Sequence, residues 1–403
     1  MKTGLTATMI QGGRSGVAQY VFSLVRELIR AGSVDLTVFA LEDELPLFEF
    51  AKDGCHLVPV PNAVAAPVKN IVWHQLQLPR LARSHRLDVL HVPSYRRLVH
   101  RAPCPTVGTI HDLAPFHVRG KYDVARMFYG RVVVKHLARQ QNALVAVSHC
   151  TARDIERFFG IPIECQHVIH NGIDHNRFQP GDTTAARAWA ASRHGLDAPF
   201  FLYISRLEHP GKNHVRLIEA FADFKRLTGS PWKLALGGGD WHGAEVVKAA
   251  AAGSPAARDI KFLGFVPDAD LPILYRSAAA MVYPSLFEGF GLPPVEAMAC
   301  GTPVISSTRG ALEEVVADAA LTIDPESTED IVRALTSMAT DRELPSTLRE
   351  KGLANAARFH WSRTADQVAG VYRKAASCHP ANSAGPAVFS GAGSGCRAQG
   401  IGN

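Results

Sequence analysis

The chain has 403 residues, of which 47% are hydrophobic, 20% charged and 8% aromatic, and its formal net charge is +6. A single core rarely grows past ~250–300 residues, so this length predicts two domains, and the composition excludes disorder, collagen and coiled coil for most of the chain. No apolar run approaches the ~18–20 residues that a membrane-spanning helix needs, and the opening segment reads as a first strand and not as a signal peptide.

Short β-branched runs alternate with longer helical patterns. In chain order, strands are expected at 3–10, 34–40, 56–60, 88–93, 105–111, 142–148 and 166–170. Helices fit at 15–31, 69–85, 121–140 and 149–159. The second half repeats the alternation, with strands at 200–205, 233–237, 260–264, 280–284, 303–307 and 320–323. Its helices fit at 212–228, 243–252, 270–277, 292–300, 311–317, 327–339 and 345–358. Strands that are apolar throughout, each followed by a helix, predict a parallel sheet covered on both faces. Two such series predict two doubly wound α/β domains. The expected organisation is a first domain over 1–180, a second over 181–360, a final helix over 361–377 and a disordered tail over 378–403. The boundary region, 174–198, opens on a broken pattern and continues as an Ala-rich polar stretch. The tail is rich in Ala, Gly, Ser and Pro and cannot bury a core.

Charge is unevenly spread. Residues 1–180 carry 21 Lys/Arg against 14 Asp/Glu, whereas residues 181–403 carry 22 against 23. Within 80–139 there are 12 basic and 3 acidic residues. The basic half calls for an anionic partner, such as a membrane surface, a phospholipid-linked substrate or nucleic acid. Nucleic acid is disfavoured, because neither stacking aromatics nor a groove-reading motif accompanies the charge. Arg131, Lys135 and Arg139 fall at i, i+4, i+8 and would line one helix face, with Tyr122, Met127, Phe128 and Val132 to Val134 as apolar bulk and Arg96, Arg97 and Arg101 nearby. The competing reading is a solvated face; the functional one is salt-sensitive attachment to anionic headgroups without insertion. Seven Cys at 55, 104, 150, 165, 300, 378 and 396 form no CxxC pair, which predicts reduced thiols in a cytoplasmic protein.

In open α/β sheets, ligands sit at the carboxyl ends of strands, so the loops that follow strands carry the information. Gly12-Gly13-Arg14-Ser15-Gly16 follows the first strand and opens a helix. It is either a backbone cradle for phosphate or sugar, or a plain tight turn. Neither GxGxxG nor GxxxxGK[ST] occurs here. In Ser205-Arg206-Leu207-Glu208-His209-Pro210-Gly211-Lys212-Asn213, two cations six residues apart can converge on one diphosphate, or can form a solvated basic loop. In Glu288-Gly289-Phe290-Gly291-Leu292-Pro293-Pro294-Val295-Glu296, two carboxylates can face one crevice, with Glu296 in the first turn of the helix that the prolines open. In the competing reading, Glu296 only complements the helix dipole. Thr109-Ile110-His111-Asp112 places a His at a strand end, either to meet a sugar hydroxyl or as a satisfied side chain beside a capping Asp112. Asp268-Ala269-Asp270 imitates a metal-holding pair but is read as a helix cap. The 18 His show no HExxH or other tight ligand spacing, so no metal is expected. Ser148 or Thr151 is read as a cap of the following helix.

Together these motifs resemble the retaining glycosyltransferases of family 4, the group-1 type with the GT-B fold of two Rossmann-like domains facing across a cleft. The resemblance spans roughly residues 3–376. Its most specific parts are Glu288 to Glu296, Arg206 with Lys212-Asn213, and Asn171-Gly172-Ile173-Asp174. Pro210-Gly211 makes the loop before Lys212 a residue longer than is usual. The resemblance implies that Arg206 and Lys212 bind the donor diphosphate and that Glu296 binds the donor ribose. It implies that Glu288 contacts the transferred sugar, with the backbone of Phe290, Gly291 and Leu292 around sugar and phosphate. His111 would lie near the reacting carbon, and Gly13 and Gly16 beside phosphates and acceptor. It further implies that the final helix crosses back to the first domain and that no metal or other cofactor is needed. The Trp73-His74-Gln75 segment, the Thr109 to Leu113 strand end and the 142–151 stretch look like bacterial mannosyltransferases of polysaccharide assembly. The expected reaction is transfer of a hexose, mannose from GDP-mannose first, to a glycan or lipid-linked acceptor at the cytoplasmic face of the inner membrane. The alternatives are a UDP-glucose-dependent glucosyltransferase and a GT-B protein that binds nucleotide without catalysis. No nucleic-acid partner is implied.

Overall fold

A computed structural model describes residues 1–118 and 128–377, and the chain divides into two compact units. The first holds a seven-stranded parallel sheet made of β1 (Lys2–Thr6), β2 (Asp35–Leu41), β3 (His56–Val60), β4 (Val89–Val92), β5 (Thr106–Ile110), β6 (Ala143–Ala146) and β7 (His167–Val168). Their order is β3-β2-β1-β4-β5-β6-β7. The second holds β8 (Phe200–Ile204), β9 (Lys233–Gly237), β10 (Ile260–Gly264), β11 (Ala280–Tyr283), β12 (Val304–Ser307) and β13 (Leu321–Ile323), ordered β10-β9-β8-β11-β12-β13. All pairings are parallel. Strand order reverses at β1/β4 in one sheet and at β8/β11 in the other, and such switch points open the crevices where ligands bind.

The central strands have almost no exposed residues: all four of β11 and all five of β5 are buried. Helices on both faces supply that cover. In the helix Gly16–Ala31, Ala18, Val21, Leu24, Val25 and Leu28 are buried at helical spacing. The Ser15 hydroxyl accepts from Ala18 N at 3.2 Å and starts this helix. Ser148 does the same for His149–Asp154 through Thr151 N, as expected. None of the five described cysteines forms a disulfide.

Several elements differ from expectation. The expected helix 69–85 is two helices, Pro67–Leu76 and Leu78–Ser84, because Pro79 lacks the N–H that a continuous ladder needs. The Ala-rich stretch of the boundary is the helix Thr183–His194; Asp182 caps it and Gly195 ends it with a positive φ of 65°. Alanine's helix propensity outweighs its weak polarity pattern there. Glu42–Ala51 winds as 3₁₀ turns where no element was expected. Residues 129–134 form a π-helical turn, which shifts the register of everything after it. Arg131, Lys135 and Arg139 therefore do not line one open face: Arg139 turns inward and donates to Phe159 O at 2.7 Å. Tyr122, Met127 and the tail 378–403 lie outside the described residues.

The boundary also moves. Asn171–Trp361 belongs to the second unit, so 171–180 does not close the first domain. Gly172 is pressed against the backbone of His360 and Trp361, Ile173 bridges to His360, and the Phe178 ring lies 6.0 Å from that of Tyr275. Residues from Asp112, which follow β5, also group with the second unit, where His117 stacks on Phe287 at 4.2 Å. From Ser362 the last helix, Trp361–Ser377, belongs to the first unit. Its Tyr372 hydroxyl lies 2.7 Å from His91 Nδ1, and Thr364 donates to His170 O at 2.7 Å.

Candidate active site

The second unit's switch point gathers the loop after β8 and the loop after β11. Lys212 ends the first loop. Its carbonyl accepts from the Tyr203 hydroxyl at 2.7 Å, and the next residue, Asn213, adopts a positive φ of 59°. The Asn213 amide donates to Pro284 O at 3.0 Å and to Pro325 O at 2.7 Å, tying the β8 loop to those after β11 and β13. That fixes the root of the Lys212 side chain. Its ammonium meets the Glu288 carboxylate at 2.5 Å, with both side chains about 15% exposed. The extra residue in the loop therefore does not keep Lys212 out of the crevice. The same Glu288 oxygen accepts from Ser285 Oγ at 2.6 Å and Tyr283 Oη at 3.1 Å. A charge pair this dry is held only because its lone pairs are satisfied.

Arg206 leaves the end of β8. Its guanidinium donates to Glu208 at 3.1 Å and lies 4.6 Å from the centre of the Trp241 ring, which follows β9. Glu208 is buried, whereas the Arg206 side chain is 41% exposed. The cation is thus oriented from behind and open in front.

Gly291, with φ 97°, caps the helix Leu292–Ala299, and Pro293 and Pro294 occupy its first turn. These prolines remove two of the orphan donors, which leaves the N–H groups of Leu292 and Val295 at that end. Phe290 is buried edge-on against Phe359. Glu296 lies one turn further in than expected and not in the first turn, so it does not serve the helix dipole there. It accepts from the Tyr275 hydroxyl at 3.0 Å, and burial pushes its carboxyl up to about 7 against the pull of Arg177. Between its ordinary value of 4.5 and about 7, the folded chain holds a proton that the unfolded chain has lost. Stability therefore falls as pH rises through that window. Glu296→Gln should melt above the wild type at pH 8, with a gap that narrows towards pH 4.5. Thermal melts at both values test this, and an equal gap at both contradicts it.

In the first unit, Gly13 ends the turn Gln11–Gly13 after β1, and Gly16 opens the next helix. Gly12 N donates to Glu44 at 2.7 Å, so part of this loop's donor set is already used internally. A Cβ on Gly16 would meet nothing within 4 Å, so packing does not demand glycine there. His111 stands at the carboxyl end of β5, on the edge of the Tyr20 ring at 4.8 Å. Its Nε2 lies 3.2 Å from Pro93 O, which can only accept, so the neutral ring carries its proton on that nitrogen. Asp112 Oδ1 accepts from Ala114 N at 3.0 Å, as a turn-capping Asp does.

The structure brings Lys212 and Glu288 into direct contact. Arg206 reaches the same switch point with partners of its own, and Glu296 is held separately by Tyr275. Asp270 sits at the cap position without a side-chain cap hydrogen bond, 4.0 Å from Arg193, and Asp268 lies 3.6 Å from Arg177. Sequence reasoning missed Tyr283, Ser285, Tyr275 and Trp241. Only Ser285, a hydroxyl three residues before Glu288 at a strand end, carried a visible signal.

Two family models match the chain, one described as glycosyltransferase family 4 over residues 14–177 and one as glycosyl transferases group 1 over residues 189–378. The chain belongs to this family of glycosyltransferases. Its two parallel-sheet α/β units are those of the GT-B fold. Among its relatives, the O-antigen chain mannosyltransferase B of Escherichia coli is 27% identical over 386 residues, covering 89% of this chain and 96% of that protein. A D-inositol 3-phosphate glycosyltransferase of Nocardia farcinica is 29% identical over 392 residues, covering 90% and 86%. The structure of Anabaena HepE in complex with UDP-glucose shares the fold, with a TM-score of 0.76 at 19% identity, covering 93% of this chain and all of that one.

Proposed function

We propose that this glycosyltransferase moves a hexose from a nucleoside diphosphate sugar to a glycan or lipid-linked acceptor in bacterial polysaccharide assembly, with retention at the anomeric carbon. The observation that carries this reading is the placement of Arg206 and Lys212 at the β8/β11 switch point, with the Glu288 carboxylate between strand ends. Breaking the bond from the anomeric carbon to the donor phosphate leaves new negative charge on the diphosphate. Two oriented cations and the helix end at Leu292 would meet that charge. The acceptor hydroxyl oxygen would bond to the anomeric carbon from the same face, and its proton would pass to the departing phosphate. Glu288 would hold hydroxyls of the transferred sugar and Glu296 those of the ribose, and His111 is proposed as a further sugar contact. Gly13 and Gly16 would leave room for phosphate or acceptor.

GDP-mannose is the favoured donor, in line with the mannosyltransferase relative. UDP-glucose is the second candidate, in line with the HepE complex. The proposed setting is the cytoplasm. Incubation with each donor and a lipid-linked acceptor, followed by NMR of the new linkage, tests both donor and stereochemistry. An inverted anomer would overturn the retaining mechanism.

We also propose that no metal takes part. Asp268 and Asp270 already face Arg177 and Arg193, and the cations at the switch point take the role a divalent ion would have. Turnover should persist in excess EDTA. Complete loss that Mg²⁺ or Mn²⁺ restores would contradict this.

A further inference from the structure

The helix Pro67–Leu76 in the first unit is apolar on two faces. Its inner face buries Asn70, Trp73 and His74. Its outer face carries Val68, Val72 and Leu76 at i, i+4, i+8, and these are 72%, 48% and 54% exposed. An aliphatic stripe of this kind is costly to leave in water and marks an interaction surface. A second stretch, with Phe128, Val132 and Val133 at 63%, 50% and 37% exposure, lies on the helical segment that ends at Ala138.

Both elements are anchored to the segment 95–100. Arg97 is buried and donates to Asn70 at 2.6 Å, and Gln75 donates to Leu98 O at 2.9 Å. From the other side, the Tyr129 hydroxyl donates to Arg96 O at 3.2 Å. Neither 67–87, nor 89–111, nor 128–140 contains a single Asp or Glu. Lys69, Arg80, Arg83, Arg101 and Arg131 in these segments are exposed.

We propose that this surface docks on an anionic lipid bilayer, with Val68, Val72 and Leu76 entering the headgroup boundary and Lys69, Arg101 and Arg131 meeting the phosphates. Charge selects the occupant. A protein partner or a second copy would have to answer a rim of one sign with its own acidic groups, and a second copy of this face offers none. An anionic bilayer supplies both the apolar layer and the negative charge. The carrier is thus the aliphatic helix with its basic flank, and not the Arg131, Lys135, Arg139 row read from spacing. No helix among the described residues is long and apolar enough to cross a membrane, which fits attachment without spanning.

The experiment is co-sedimentation of the full chain with vesicles of phosphatidylglycerol and phosphatidylcholine, and with phosphatidylcholine alone, at low and high salt. The wild type should bind the anionic vesicles at low salt and lose most binding at high salt or on neutral vesicles. V68S/V72S/L76Q should bind at least tenfold more weakly with an unchanged melt. Because these side chains are exposed the fold should survive, and Arg131→Gln, in a separate element, should weaken binding by about fivefold. Absent binding to anionic vesicles at low salt overturns the proposal, as does a triple variant that binds like the wild type. So does a wild-type dimer that the triple variant abolishes, since the stripe would then be a self-interface. Vesicle binding needs no donor, so its failure would leave the proposed reaction standing.

Discussion

Lys212→Ala should turn over its nucleotide sugar about 10²–10³ times more slowly than the wild type while keeping a cooperative melt. The fold should survive because Tyr203 and Asn213 hold the loop through groups other than the Lys212 side chain. Glu288 keeps two hydroxyl donors, Ser285 and Tyr283, so the carboxylate is not stranded. What disappears is the cation proposed to meet the departing phosphate, on a side chain only 14% exposed, where a charge acts at lower dielectric than in water. Arg206 cannot replace it, since Glu208 and Trp241 fix that guanidinium at the other end of the loop. Single-turnover kinetics with enzyme in excess over donor would measure the loss. Near-normal turnover would remove Lys212 from the proposed diphosphate site.

Gly310→Ala is expected to cost turnover of similar size from a residue that carries no functional group. Gly310 follows β12 at a φ of 69°, and a Cβ there would lie 2.3 Å from Glu288 O and 2.7 Å from Glu288 N. Both are backbone atoms, so no rotamer change relieves the clash, and the neighbouring Ala311 N already donates to Glu288 O at 2.8 Å. The loop that bears Glu288 must shift, and a displacement of about 1 Å in such a site costs on the order of 10²-fold in rate. The strained φ and clash should also lower stability by roughly 1–3 kcal/mol. Gly195→Ala is the control: its φ of 65° is equally strained, yet an added Cβ meets nothing within 4 Å. It should lose stability and keep its rate. If the two variants lost rate equally, strain and not the displacement of Glu288 would be the cause.

Much of the fold is legible because fully buried parallel strands leave unbroken apolar runs such as Phe200–Ile204 and Ala280–Tyr283, each followed by a helical pattern. Arg206, Lys212 and Glu288 are legible for a related reason: charged residues just beyond such runs fall on the loops where open sheets bind ligands. The residues that hold them are not legible. Tyr283 and Tyr203 belong to strands and read as core, yet their hydroxyls meet Glu288 and the Lys212 carbonyl. Tyr275 reads as the apolar face of an amphipathic helix, and only the structure turns its hydroxyl to Glu296. The exposed stripe at Val68, Val72 and Leu76 has the spacing of an inward face, so periodicity alone cannot tell that Asn70, Trp73 and His74 point inward instead. The register beyond Tyr129 escapes for a backbone reason, because a π turn has no reliable side-chain signature.

Arg206 and Lys212 at the β8/β11 switch point are proposed to hold a nucleoside diphosphate. The most direct measurement is calorimetric titration of GDP and UDP, without metal, into the wild type and into R206A/K212A. The wild type should bind at least one diphosphate saturably, and the double variant should bind it tenfold or more weakly. Equal affinity in the two proteins, or no binding of either nucleotide to the wild type, would contradict it.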